Sequence, residues 1–204
     1  MPRITDQRRA ARREQILEAA RACLQEHGLE AVSMEMIISR SGLSTGAVYG
    51  YFKSKDEIIN AVVTDGTAAM GQQLAPVFTS PEPTTFPRFA EQLLRTVAAF
   101  GQEKPADVDR LLVALHGWSH SQSDPRLAAA TRTVYSGQRD LLAGTVRRWQ
   151  ADGTFDPGAD ADEVAQLLLS IVLGFVAQRA LAGDVRVQAH ADALDALATR
   201  GRAC

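Results

Sequence analysis

Residues 33–55 read SMEMIISRSGLSTGAVYGYFKSK, and the fold turns on this stretch. Ser33 can open a short helix to Ser41 by accepting a hydrogen bond from the free amides of its first turn. Gly42-Leu43-Ser44 makes a tight turn, and a second short helix covers about Thr45 to Phe52. Two short helices across a glycine-containing turn describe a helix-turn-helix, whose second helix enters the DNA major groove. Ile37 and Val48 are placed to pack the helices together, Leu43 to plug the space beneath the turn, and Phe52 to point inward. Ser44 caps the second helix, whose free amides can then also face a phosphate. Thr45, Ala47, Tyr49 and Gly50 are left on the outer face.

Working outward, a helix from about Thr5 to Gly28 precedes the unit, with Ile16, Ala20, Cys23 and Leu24 on one side. Gly28 is its C-terminal stop, because glycine tolerates a left-handed backbone. Ser54 to Glu57 forms a capping box, in which Ser54 and Glu57 satisfy each other's backbone donors, and opens a long helix to about Phe78. The first 55 residues carry nine Arg or Lys against six Asp or Glu, a net +3, while residues 56–204 sum to −5. Arg3, Arg8, Arg9, Arg12 and Arg13 concentrate the positive side. Such an arm either frays into solvent or displaces counterions from nucleic acid phosphates, and charge alone does not separate the two.

The stretch resembles the DNA-binding domain of the tetracycline-repressor (TetR) family of bacterial transcriptional regulators. The resemblance is carried by Gly42-Leu43-Ser44-Thr45-Gly46, Val48-Tyr49 and Tyr51-Phe52-Lys53-Ser54-Lys55 running into Asp56-Glu57, and covers about residues 10–60. It implies that Ser33, Ser44, Tyr51 and Lys55 contact phosphates of a double-stranded operator. Thr45, Gly46, Ala47, Tyr49 and Gly50 would then lie along the groove. Two positions depart from the family pattern. Ile38 stands where a small residue is favoured, which would open the helix crossing slightly. Gly50 replaces a larger aromatic or polar residue. Gly46, Ala47 and Gly50 offer no side-chain hydrogen bond to a base, so readout leans on Thr45, Tyr49, the arginine arm and DNA shape.

Beyond the Pro-rich loop at residues 80–87, four helices and a terminal one are expected, at about Pro87–Glu103, Ala106–Gln122, Pro125–Ala151, Asp160–Ala182 and Val185–Thr199. Asp124-Pro125 and Asp160 with Glu163 are the caps, and Gly183-Asp184 is the last turn. The chain is therefore all-α: a helix-turn-helix domain at 1–55 and a larger helical domain at 56–204. The body resembles the family in its architecture and in the cue of Trp118 followed by Asp124-Pro125-Arg126-Leu127. The family's body binds a small-molecule effector and pairs two copies through its last two helices. Val164, Leu168, Ile171, Val172, Phe175 and Leu194 are the expected dimer contacts. Met70, Phe89, Leu93, Phe100, Leu111, Leu115, Trp118 and Tyr135 are the large side chains available to line the effector pocket.

Other function classes leave weaker traces. His116 and His120 stand four apart, as metal ligands on one helix face would, but no third ligand sits at metal-site spacing. An all-helical enzyme or metal protein built on this pair, or a DNA-binding dimer without an effector, are the competing readings. No nucleophile elbow, phosphate loop or dinucleotide fingerprint is found, and no cofactor is called for. The greasiest run, LLLSIVLGFV at 167–176, is about half the ~20 residues of a membrane span. The N-terminus carries no apolar segment of a secretory signal. Cys23 and Cys204 have neither metal nor disulfide spacing. A cytoplasmic protein is expected.

Overall fold

A computed structural model describes residues 2–79, 85–101, 109–183 and 185–200, and among these all regular structure is helical. The helices are α1 (Pro2–Ala31), α2 (Met34–Ser41), α3 (Thr45–Tyr51), α4 (Lys55–Thr79), α5 (Phe86–Gly101), α6 (Arg110–Ser121), α7 (Pro125–Ala151), α8 (Ala161–Ala182) and α9 (Val187–Arg200). Cys204, Asp184, Glu103, Ala106 and most of the Pro-rich loop lie outside the described residues.

The chain divides into two compact units: Met1–Thr67 with Gln102–Ala128, and Ala68–Gly101 with Ala129–Cys204. This division differs from a boundary after Lys55, because the first turns of α4 and the whole of α6 pack with the head.

The first unit is built around apolar positions from four helices. Ile16, Leu17, Ala20 and Leu24 of α1, Ile37 of α2, Val48 of α3 and Ile58, Ile59 and Val62 of α4 are buried together, with Leu43 and Phe52 closing the ends of α3. Burying each large aliphatic stabilises the fold by about 1.5–3 kcal/mol. Ile38 is half-buried on the rim of this core. Gly28 breaks α1 with φ 72° and ψ 171°, and a short helical piece continues to Ala31. The main helix thus stops at Gly28 as expected, but it starts earlier, so the arginine arm is helical.

Local chemistry sets the remaining ends. Ser33 Oγ accepts from Met36 N–H, Ser44 Oγ from Ala47 N–H, and Gly42 closes α2 in the left-handed region at φ 67°. Asp124 accepts from Arg126 and Leu127, and Asp160 from Asp162 and Glu163, at the starts of α7 and α8. The capping box at α4 is half formed. Ser54 Oγ accepts from Glu57 N–H at 3.2 Å, but the Glu57 carboxylate accepts from Lys53 N–H at 2.5 Å, one residue upstream of the position expected.

In the second unit α5 packs against α8 and α9. Phe89 meets Trp149 edge-on with centroids 4.9 Å apart, and Phe78 lies 6.4 Å from Phe89. Phe155 stacks beyond Trp149 and Phe86, which pins the α7–α8 connection. Over an 18-residue stretch α8 reaches a mean hydropathy of 1.8, so by length and composition it could cross a membrane, because alanines extend the helix past the short greasy run. Leu168, Leu169, Phe175 and Val176 are nevertheless buried inside the unit, so that side of the helix packs as core.

Candidate nucleic-acid interface

The buried Val48 orients α3 and leaves Ser44, Thr45, Gly46, Tyr49 and Gly50 exposed, with Ala47 and Tyr51 half-buried. Tyr49 is 40% exposed, the large apolar side chain that α3 leaves most open. An added Cβ at Gly46 or Gly50 would meet nothing within 4 Å, so both glycines face open space. Ser33 and Ser44 spend an oxygen lone pair on their caps. A hydroxyl retains its hydrogen while accepting, so Ser44 can still donate to a phosphate. Ser33 donates its own hydroxyl hydrogen to Glu35 Oε2, at 3.4 Å.

The cations divide into two groups. Arg8, Arg9 and Arg12 are exposed along α1. Arg13 is not part of that set: it pairs with Asp65 at 2.5 Å and lies over the Phe52 ring. Arg40 is likewise committed, gripping both oxygens of Glu26 at 2.5 and 2.6 Å. Lys55 is half-buried, and its ammonium donates to the Leu29 carbonyl at 3.3 Å. Lys53 is exposed with its ammonium on Tyr49 O at 2.7 Å, where a positive charge complements the C-terminal end of α3. Sequence reasoning passed over Lys53, although a lysine two residues past a recognition helix was visible.

His116 packs against Gly28, while His120 sits one turn on at the end of α6 with its Nε2 buried and unpaired. Among the described residues no three His, Cys, Asp or Glu side chains come together as a metal would need. Burial lowers the pKa of His116, which favours the neutral ring. Asn60 of α4 donates to Asp124 at 2.7 Å, and that bond, with the two α7 amides, holds the Asp124 carboxyl below its ordinary range.

The expected pocket and dimer residues separate by burial. Phe89, Leu93 and Phe100 are packed into the second unit and Leu111 into the first. Met70, Leu115, Trp118 and Tyr135 keep partial exposure. Leu168 and Phe175 are each 0% exposed within one copy. Their apolar contacts are made inside the fold of one copy. Val164, Ile171, Val172 and Leu194 are half-buried, while Leu167, Leu181 and Leu197 are exposed.

Comparison with known proteins places these observations. The family model "Bacterial regulatory proteins, tetR family" matches residues 16–62, and "BetI-type transcriptional repressor, C-terminal" matches residues 89–201. The HTH-type transcriptional regulator UidR of Escherichia coli K12 is 25% identical over 165 residues, covering 81% of this chain and 80% of that one. A local match at 34% identity to the HTH-type transcriptional repressor Rv1474c of Mycobacterium tuberculosis takes in 34% of this chain and 37% of that repressor. Among solved structures, a transcriptional regulator of Saccharomonospora viridis in complex with choline superimposes with a TM-score of 0.70 at 24% identity, covering 91% and 94% of the two chains.

Proposed function

Because this chain belongs to the tetracycline-repressor family of bacterial transcriptional regulators, we propose that α3 reads an operator from the major groove and that a small molecule bound in the body releases it. The family consists of regulators and not of enzymes, so the enzymatic reading of His116 and His120 falls. The observation that carries the proposal is the division of α3: Val48 is buried, while Thr45, Gly46, Tyr49 and Gly50 face solvent beside the free hydroxyl hydrogen of Ser44. Ser33, Ser44, Tyr51 and Lys55, joined by Lys53, contact phosphates. Thr45, Gly46, Ala47, Tyr49 and Gly50 lie along the base edges.

The protein works as a repressor in the bacterial cytoplasm. Two copies join through the face of α8 and α9 that carries Leu167, Ile171, Leu181, Leu194 and Leu197. The choline held by the Saccharomonospora viridis regulator supports a body of this fold admitting a small organic molecule. An effector releases DNA only by binding the non-operator conformer better, by ~1–3 kcal/mol for ordinary coupling.

Selection of the purified protein against a random duplex pool tests the reading. Recovery of an inverted repeat, with half-sites about one helical turn or a multiple apart, is the expected result. Binding that is salt-sensitive but blind to sequence would refute it.

A further inference from the structure

Gly28 interrupts α1 with φ 72° and ψ 171°, and the chain resumes after it as a short helical piece to Ala31. The next carbonyl, Leu29 O, receives the Lys55 ammonium at 3.3 Å. The imidazole of His116 on α6 lies against the same break: a Cβ on Gly28 would stand 3.7 Å from His116 Cε1, ordinary contact distance. A second tie joins the helices where Asp109 N–H, at the start of α6, donates to Gln25 Oε1 of α1. All of these residues belong to the first compact unit.

We infer that His116 is a positioning residue for Lys55: packed on Gly28, it fixes the Leu29 carbonyl and, through that carbonyl, the ammonium that meets the operator backbone. The inference rests on the reading of Lys55 as a phosphate contact. A free lysine side chain carries large rotamer freedom, and most of it is lost when the ammonium is held. Placing that ammonium beforehand lowers the cost of engaging DNA. It has three protons, so it can keep Leu29 O and still donate to a phosphate oxygen. The neutral His116 ring acts by packing, not by charge. A shift of α6 along α1 would move the Leu29 carbonyl and loosen the ammonium, a route from α6 to the operator that leaves the recognition helix untouched.

A double-mutant cycle tests this, with operator affinity and its salt dependence read by fluorescence anisotropy and folding checked by thermal midpoint. Lys55→Ala weakens binding and flattens the salt dependence by about one ion. His116→Ala weakens operator binding about threefold to tenfold and flattens the salt dependence in the same direction, but has less than about a twofold effect in the Lys55→Ala background. His116→Phe, which keeps a ring over Gly28, retains the parent salt dependence. Should His116→Ala fail to fold, His116→Gln carries the same cycle. Equal fold losses in the two backgrounds, or a parent-like salt dependence in folded His116→Ala, would overturn the positioning role while leaving Lys55 on its phosphate. An unchanged salt dependence in Lys55→Ala would remove the phosphate reading itself, and the inference with it.

Discussion

Arg13 of α1 and Asp65 of α4 form a two-point pair, with Nη1 to Oδ2 at 2.5 Å and Nη2 to Oδ1 at 3.4 Å. The same guanidinium lies 5.7 Å from the centre of the Phe52 ring, the residue that closes the recognition helix. One arginine thus staples α1 to α4 across the end of α3, and the bond to Asp65 raises its pKa further.

Arg13→Ala is therefore a stability variant. Its side chain and that of Asp65 are 40% and 34% exposed, so solvent screens the pair. Its loss together with the ring contact costs about 1 kcal/mol. Urea unfolding reads that cost, while the salt dependence of operator binding stays as in the parent. Joint replacement of Arg8, Arg9 and Arg12 by Ala has the opposite signature, an unchanged midpoint and a flatter salt dependence. A flattened salt dependence in Arg13→Ala would return this residue to the DNA-facing arm.

Two glycines should respond oppositely to alanine. A Cβ at Gly117 would stand 2.7 Å from Val63 Cγ2 and 3.2 Å from Cγ1. Valine is stiff at χ1 and its methyls have little room to turn, so Gly117→Ala destabilises the first unit by about 1–3 kcal/mol. At Gly50 nothing lies within 4 Å, so Gly50→Ala gains up to ~1 kcal/mol of helix propensity. Its methyl faces the groove, and operator affinity falls although the protein becomes more stable. Thermal midpoints and anisotropy on the two variants decide the matter. Unchanged operator affinity in Gly50→Ala would place that residue away from DNA.

Acid should weaken the first unit in two stages. His116 has a folded pKa lowered by burial, so its neutral form favours folding above the ordinary histidine range. That contribution is lost as pH falls through the folded value. Asp124 has a folded pKa lowered chiefly by the Asn60 hydrogen bond and then by the Leu127 and Arg126 amides. Its contribution is likewise present above the ordinary carboxylate range and lost below it. In urea midpoints taken from neutral to acid pH, His116→Phe flattens the upper stage. Asp124→Asn lowers stability at neutral pH and flattens the lower stage. Parent-like profiles in both variants would show that other groups govern the acid response.

What could be read from sequence follows the range of each interaction. The caps Ser33, Ser44, Asp124 and Asp160 act within three residues, so residue type and spacing revealed them. Ile37 and Val48 declared themselves through helical period. The fate of the cations could not be read this way. Arg13 is decided by Asp65, fifty-two positions away, and Lys55 by Leu29, twenty-six away. His116 meets Gly28 only because α6 packs on α1. In α8 the apolar residues run around most of the helix, so periodicity gave no direction. It could not separate Leu168, spent inside the protomer, from Leu167 beside it.

That neighbouring pair provides the sharpest test of the assembly. Leu167 is 56% exposed and Leu168 is 0% exposed, consecutive residues pointing to different faces of α8. Leu181 lies four turns after Leu167 on nearly the same face and is 77% exposed, and Leu197 of α9 is 72% exposed. A dimer that covers this strip removes it from water, and a carboxylate there would be desolvated without a partner. Leu167→Asp with Leu197→Asp therefore yields folded monomers in analytical ultracentrifugation, with native helical content and weakened operator binding. Leu168→Asp buries the charge in the core and costs several kcal/mol, so helical signal and dimer are lost together. If the Leu167/Leu197 double variant still sediments as a dimer, the two copies meet through another surface, and the exposed strip on α8 and α9 needs a different explanation.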